Sequence, residues 1–167
     1  AKEYLNGNII ISYGDIVYKH EVLEALINDP CDIVIASDSK WKLYWSERFD
    51  NPLDDAESFV KGKAKSVKSL GQKETNLNNI EGQFIGLIKL SNKGCDDIIS
   101  TYNECYNLTS SSENAWGSNR SLKLAYMTDL LNFLAKQNKL FFNEINRGWV
   151  EIDDLKDLEI ANNVSWI

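Results

Sequence analysis

The sequence predicts one α/β domain built around a parallel sheet, and its length and apolar patterning lead to that prediction. The 167 residues suffice for a compact domain with a buried core, and 43% are hydrophobic against 26% charged. Two unbroken apolar runs, Asn8–Tyr13 and Asp32–Ala36, are typical of strands that are buried on both faces. Between them, residues 19–28 repeat apolar side chains at helical spacing, which predicts a strand–helix–strand unit with parallel strands.

Further strands and helices are predicted along the rest of the chain. An irregular stretch rich in aromatic and charged residues is predicted over 38–59, and a polar, lysine-rich segment follows to residue 79. The Ser- and Asn-rich residues 108–119 are interpreted as a flexible loop. The remaining elements are predicted as strands at Gln83–Leu90, Phe141–Ile145 and Trp149–Ile152 and as helices at Asp96–Tyr106, at Ser121–Gln137 and from Leu155 onward.

Composition narrows the classes of partner. The net charge is −7 and the lysines are interleaved with polar residues, whereas a duplex-binding domain needs a basic face. The three cysteines are odd in number and lack metal-ligand spacing, which favours a reduced, cytoplasmic location. No apolar run approaches the roughly 20 residues that span a bilayer. We therefore expect a cytoplasmic protein that binds neither nucleic acid nor a membrane.

The single histidine restricts the available chemistry. A multi-histidine zinc site is excluded, and a Ser-His-Asp triad would have to use His20. His20 stands where a helix is predicted to begin, so a solvent-facing position is expected. Carboxylates must then carry whatever chemistry the protein performs.

Two carboxylates follow predicted strands and are candidate metal ligands. Asp15 comes after the first apolar run, and Asp153 comes directly after the strand that ends at Ile152. Ligands of open parallel sheets collect beyond the carboxyl ends of strands, and Mg²⁺ is commonly held by one or two carboxylates plus phosphate oxygens. The alternative is that each aspartate starts a turn or caps a helix, and Asp153 does precede one.

Several segments together resemble the sugar-nucleotidyltransferase superfamily. Tyr13-Gly14-Asp15-Ile16 resembles its central metal-binding motif, and Gly148–Asp153 resembles the C-terminal motif that supplies a second metal-binding aspartate. Segments 38–48, 54–57 and 81–91 resemble a narrower branch, the phosphonate-pathway cytidylyltransferases associated with phosphoenolpyruvate mutase, and their phosphocholine relatives. The resemblance covers essentially the whole chain.

This resemblance implies a Rossmann-like nucleotidyltransferase fold with a mixed, mainly parallel sheet. Members of the superfamily begin with a strand and a glycine-rich loop, roughly Ala-Ala-Gly-x-Gly-x-Arg, that binds the nucleotide. Residues 1–167 contain no such loop. They are therefore expected to form the C-terminal, catalytic and acceptor-binding part of such a domain without its first βα units. Whether this part is active alone stays open.

The aromatic segment is a candidate binding site for the ammonium group of 2-aminoethylphosphonate or phosphocholine. Aromatic faces attract ammonium groups, and carboxylates add complementary charge. The alternative is that residues 41 and 45, spaced i to i+4, form the buried stripe of a short helix. The residues assigned to this site are Trp41, Tyr44, Trp45, Asp55 and Glu57.

Two further residues are assigned to the acceptor through the same branch. Arg48 is suited to clasp a phosphonate with two parallel hydrogen bonds, or it pairs with the neighbouring Glu47 or Asp50. Glu81, which opens the segment 81–91, is counted among the acceptor-binding residues.

The resemblance implies Mg²⁺-dependent transfer of CMP from CTP, or of another nucleotide from its triphosphate, with release of pyrophosphate. The acceptor is a 2-aminoethylphosphonate- or phosphocholine-like molecule, and Asp15 and Asp153 hold the ion. Because the acceptor is already an anion, no general base is needed. Two rivals stay open: a sugar-1-phosphate nucleotidyltransferase, and a non-catalytic binding or assembly module that retains part of the fold.

Overall fold

Strands and helices alternate along the chain, and the computed structural model describes residues 2–108 and 114–167. No helix within these two ranges is both long and apolar enough to cross a bilayer. The strands are β1 (Ile9–Ser12), β2 (Ile16–Tyr18), β3 (Ile33–Asp38), β4 (Glu57–Lys61), β5 (Val67–Lys73), β6 (Gln83–Leu90), β7 (Phe141–Ile145) and β8 (Trp149–Glu151), and the α-helices are α1 (His20–Ile27), α2 (Trp41–Arg48), α3 (Asn92–Leu108), α4 (Met127–Lys136) and α5 (Leu155–Asn163).

The central sheet is mixed, which confirms the predicted α/β class. Its four strands lie in the order β1-β6-β3-β7, with β3 and β7 parallel and β6 antiparallel to both of its neighbours. The two strands of the predicted strand–helix–strand unit run in the same direction, but they are not neighbours because β6 lies between β1 and β3. The expectation of a mainly parallel sheet is wrong, since only one of the three pairs in this sheet, β3–β7, is parallel. β1 lies at the edge of the sheet and is partly exposed, so its apolar run does not mean burial on both faces.

The segment between β3 and β6 is more regular than predicted. Residues 38–59 contain α2 and the start of β4, and the lysine-rich stretch contains β5, which pairs antiparallel with β4. In β5, Val67 and Leu70 are fully buried while most neighbouring side chains are polar, so the sequence carries little apolar alternation there.

Helix α4 is shorter than predicted. It begins at Met127 rather than Ser121, because the carboxylate of Asp129 accepts the N–H of Tyr126 at 2.8 Å and fixes the start of the helix there. The predicted flexible loop 108–119 includes residues 109–113, which lie outside the described residues. His20 is the first residue of α1 and its side chain is exposed, as predicted.

Apolar side chains cover the sheet on both faces. One face packs Ile33, Ile35, Ile88 and Leu90 against residues of β5, α3 and α4. The opposite face packs against α1, α2 and β8 and includes the rings of Trp41, Tyr44, Trp45 and Trp149. The layer formed by α1, α2 and β8 positions the candidate site, because α2 and β8 both contribute residues to it.

Candidate active site

A short antiparallel pair of strands brings three acidic residues together. Ile16 of β2 lies opposite Glu151 of β8, and the N–H of Ile152 donates to the carbonyl of Asp15 at 2.8 Å. Carboxylate oxygens of Asp15, Glu151 and Asp153 consequently lie within 4.8 Å of one another. The expected convergence of Asp15 and Asp153 is confirmed, and their role as metal ligands stays a prediction. We call these three residues the acidic triad.

The donor set of the acidic triad suits a small, hard divalent cation. Mg²⁺ prefers carboxylate oxygens and keeps several water ligands, which the exposed positions of Asp15 and Asp153 allow. The alternative function of Asp153 as a helix cap does not apply. Asp154 is the N-cap of α5, and its side chain accepts the N–H of Asp157 at 2.9 Å. The carboxylate of Asp153 is therefore not used in capping.

Arg48 is buried beneath the triad, and the assignment of this residue to an acceptor phosphonate is corrected. Its side chain is 1% exposed, and its guanidinium donates to Asp157, Glu151 and Asp153. The distances are 3.0 and 2.9 Å to the two oxygens of Asp157, 2.5 Å to Glu151 Oε2 and 2.7 Å to Asp153 Oδ2. The sequence alternatives, Glu47 and Asp50, are not its partners in the structure because this face of α2 is buried.

The ion pairs alter the proton affinities of the groups involved. Burial alone would lower the pKa of Arg48, but hydrogen bonds and the charges of Asp157 and Glu151 raise it above its ordinary value. Burial alone would raise the pKa of Asp157, but the Arg48 hydrogen bond outweighs it and lowers that pKa. For Glu151, burial raises the pKa despite the opposing effect of Arg48. A single guanidinium thus faces several carboxylates, and the cluster keeps a net negative charge.

Two of the aromatic residues assigned to the acceptor are part of the core. Trp41 and Tyr44 are 3% and 1% exposed. The hydroxyl of Tyr44 donates to the carbonyl of Glu151 at 2.9 Å and accepts the N–H of the same residue at 3.1 Å. Tyr44 therefore fixes the backbone of β8 and does not face an acceptor. The buried-stripe alternative for residues 41 and 45 is confirmed, because Trp41 and Trp45 are both 3% exposed and lie in the same core cluster.

Trp45 is part of the core as well, and it also borders a cavity of about 260 Å³ next to the triad. Its indole N–H donates to Asp55 Oδ2 at 3.0 Å and so fixes that carboxylate. Acidic and aromatic side chains make up much of the lining, which we call the acidic cavity, and they include Tyr13, Trp45, Asp55, Glu57, Tyr126 and Glu151. Such a combination suits a small organic cation.

Glu57 and Tyr13 experience the negative charge of this cavity. Burial, followed by the charges of Asp55 and Asp129, raises the pKa of Glu57. Burial, followed by the charges of Glu57, Asp15 and Glu151, raises the pKa of Tyr13. Glu81 lies elsewhere: it is exposed and its carboxylate accepts the backbone N–H of Lys61 at 2.6 Å. The geometry therefore does not support Glu81 as an acceptor-binding residue.

Three residues of the site were missed by the sequence reasoning. Glu151 was taken only as part of a strand, and Tyr13 and Tyr126 were not assigned to the acceptor. One signal was available for Tyr13. Gly86 interrupts β6 with a φ of +81°, and a Cβ there would lie 2.7 Å from the Tyr13 ring. The glycine therefore makes room for that ring at the edge of the cavity.

The comparisons with known proteins point to similarity with nucleotidyltransferases. No family model matches the chain. Over 154 residues it is 36% identical to the CTP:phosphoglutamine cytidylyltransferase of Campylobacter jejuni, a match that covers 92% of this chain and 58% of the relative. The relative that this chain resembles is thus a cytidylyltransferase.

Solved structures share the fold at low sequence identity. A Bacillus anthracis protein described as a glucose-1-phosphate thymidylyltransferase aligns with a TM-score of 0.64 and 14% identity, over 99% of this chain and 57% of that one. The inositol-1-phosphate CTP transferase of T. maritima aligns with a TM-score of 0.57 and 12% identity, over 91% of this chain and 51% of that one. The chain thus spans little more than half the length of the proteins it matches.

Proposed function

We propose that this protein transfers CMP from CTP to a small phosphorylated acceptor that carries an ammonium group, with a divalent cation bound at the acidic triad. The observation that carries the proposal is the position of Glu151. It belongs to the triad and also lines the acidic cavity, so a metal-bound phosphate and an acceptor cation would bind side by side. The similarity to a CTP-dependent cytidylyltransferase supports CTP as the donor.

Each residue of the site has a distinct part in this reaction. Asp15, Glu151 and Asp153 would hold Mg²⁺, which when bound neutralises charge that develops on the α-phosphate. Asp55, held by Trp45, and Glu57 would bind the ammonium group and orient the acceptor. The acceptor oxygen, already anionic, attacks the α-phosphorus, and the bond to the leaving pyrophosphate breaks.

The charge of the acidic cavity favours amino-group acceptors. 2-Aminoethylphosphonate and phosphocholine carry a cationic group, and phosphoglutamine, named for the relative, is a third acceptor to test. A sugar 1-phosphate would bring only negative charge to a cavity that already holds Asp55, Glu57 and Glu151. We also propose that residues 1–167 are the C-terminal, acceptor-binding part of a nucleotidyltransferase domain; the match to the relative spans 58% of its length, as expected for part of such a domain.

The test is pyrophosphate release by the product of the complete gene. It would be assayed with CTP and Mg²⁺ against 2-aminoethylphosphonate, phosphocholine, phosphoglutamine and glucose 1-phosphate. We expect release with at least one ammonium-bearing acceptor, little with glucose 1-phosphate, and none after chelation of Mg²⁺. Preferential turnover of glucose 1-phosphate would instead assign the protein to the sugar-1-phosphate nucleotidyltransferases.

A further inference from the structure

We propose that Arg48 is a positioning residue, which sets the geometry of the divalent-cation site by holding the carboxylates of Glu151 and Asp153. The inference rests on the proposed function, because it concerns the cation that the acidic triad would hold. It assigns to Arg48 a role in which it touches neither substrate nor metal and acts through its neighbours.

The contacts leave part of each carboxylate available. Arg48 binds Oε2 of Glu151 and Oδ2 of Asp153, and a carboxylate has two acceptor oxygens. One oxygen of each is thereby held on the guanidinium, while an oxygen of each lies within 4.8 Å of an oxygen of Asp15. The planar guanidinium of Arg48 thus fixes two side chains, one at the end of β8 and the other in the turn before α5.

Arg48 is itself immobilised from several directions. Asp157 binds its Nε and Nη2 in a bidentate pair, and Asp157 in turn accepts the N–H of Asp153 at 3.1 Å. The guanidinium carbon lies 5.6 Å from the Tyr44 and Trp45 ring centroids and 5.1 Å from that of Phe49. An ion pair that served stability alone would need only Asp157, so the additional bonds to two triad members indicate positioning.

An electrostatic role and a positioning role of Arg48 predict opposite changes in the affinity for a divalent cation. A buried positive charge near the triad repels a divalent cation, so a purely electrostatic role predicts tighter binding once that charge is lost or moved away. A positioning role predicts weaker binding, because Glu151 and Asp153 would no longer be held toward Asp15. Lysine retains the charge but lacks the planar fork that bridges several oxygens. Arg48→Lys therefore separates the two effects.

The experiment is a titration of the 167-residue chain with Mn²⁺ alone, with free Mn²⁺ measured by electron paramagnetic resonance. We expect Arg48→Lys and Asp157→Glu each to weaken Mn²⁺ binding by about 10- to 100-fold, the usual effect of losing an outer-shell partner. Asp157→Glu is informative because it keeps the charge of a residue outside the triad and moves the carboxylate that holds the guanidinium. The matched control is Arg147→Lys. The guanidinium of Arg147 lies 4.0 Å from the Trp166 ring centroid, and the Mn²⁺ affinity of this variant should equal that of the unaltered chain.

Circular dichroism and thermal melts would accompany each titration, and a folded Asp157→Glu variant, which keeps the ionic charges of the cluster, keeps the test decisive if Arg48→Lys does not fold. Unchanged or tighter Mn²⁺ binding in the folded variants would overturn the positioning role. Asp15→Asn distinguishes this failure from a failure of the proposed site. If Asp15→Asn abolishes Mn²⁺ binding while Arg48→Lys does not weaken it, the triad stands and only Arg48 is misassigned. If the unaltered chain binds no Mn²⁺, both the triad and the positioning role fail.

Discussion

The guanidinium of Arg48 and the carboxylate of Asp157 form a bidentate ion pair, with an Nε–Oδ1 distance of 3.0 Å and an Nη2–Oδ2 distance of 2.9 Å. Their side chains are 1% and 7% exposed and 109 residues apart in sequence. The pair joins α2 to the first turn of α5. It therefore connects the helix that carries the buried aromatic rings to the acidic triad.

Removing one partner of this pair should strongly destabilise the fold. Arg48→Met leaves the Asp157 carboxylate buried without its counter-charge, which typically costs about 3–5 kcal/mol in the free energy of unfolding. Urea denaturation would measure the change. Lys139→Met, which breaks the more exposed pair with Asp97, is the control and should cost less than about 1 kcal/mol. Equal effects of the two variants would show that burial of the Arg48 pair has no energetic consequence.

Asp15→Asn should abolish most cytidylyl transfer by the complete gene product. The amide keeps the size of the side chain but loses the negative charge that the acidic triad needs for Mg²⁺. We expect kcat to fall by at least about 100-fold, an effect of the size seen when one group that stabilises transition-state charge is lost. Asp96→Asn, on the exposed surface of α3, should leave pyrophosphate release unchanged. Retained activity in Asp15→Asn would rule out the proposed ion site.

Glu57→Gln should make the folded protein more stable at neutral pH. The pKa of Glu57 is raised in the folded state, so the wild type loses stability as pH rises from the unfolded value of about 4.3 through the folded pKa. The variant should be more stable than the wild type at pH 7 and no more stable at pH 4. Denaturation at both pH values, with exposed Glu47→Gln as control, checks this. A gain that persists at pH 4 would contradict a charge-based origin.

Asp55→Asn should weaken acceptor binding selectively. If the acidic cavity binds an ammonium group, loss of one carboxylate should raise the KM for the preferred cationic acceptor by about tenfold, which corresponds to about 1.4 kcal/mol. The KM for CTP should change little, since the proposed binding of its phosphates is at the acidic triad, which does not include Asp55. Steady-state pyrophosphate assays with each substrate varied in turn would measure both constants. Equal increases in the two KM values would argue against a cation site at Asp55.

Gly86→Ala should destabilise β6 and disturb Tyr13. The residue has a φ of +81°, and the new Cβ would lie 2.7 Å from the Tyr13 ring, so strain and overlap add to about 1–3 kcal/mol. Gly14→Ala is the matched control, because its Cβ would meet no atom within 4 Å. Thermal melts would compare the two variants. Equal melting temperatures would mean that the ring of Tyr13 relaxes freely.

Elements with local signals could be predicted from the amino-acid sequence. The strands Gln83–Leu90 and Phe141–Ile145 were predicted with the bounds that the structure shows. The α/β class and the placement of Asp15 and Asp153 after strands were also readable, because an apolar run and the residue that ends it are neighbours along the chain. The resemblance to nucleotidyltransferases used the same short motifs.

Contacts between groups that are distant in sequence could not be predicted, because they depend on how the elements pack. The sequence does not show that β6 lies between β1 and β3, that Trp41 and Tyr44 are buried, or that Arg48 binds carboxylates more than 100 residues away. A helix can bury or expose the same side chains, depending on the surface against which it packs. The charge of Glu151 belongs to the site for the same reason: the pairing of β2 with β8 places it beside Asp15.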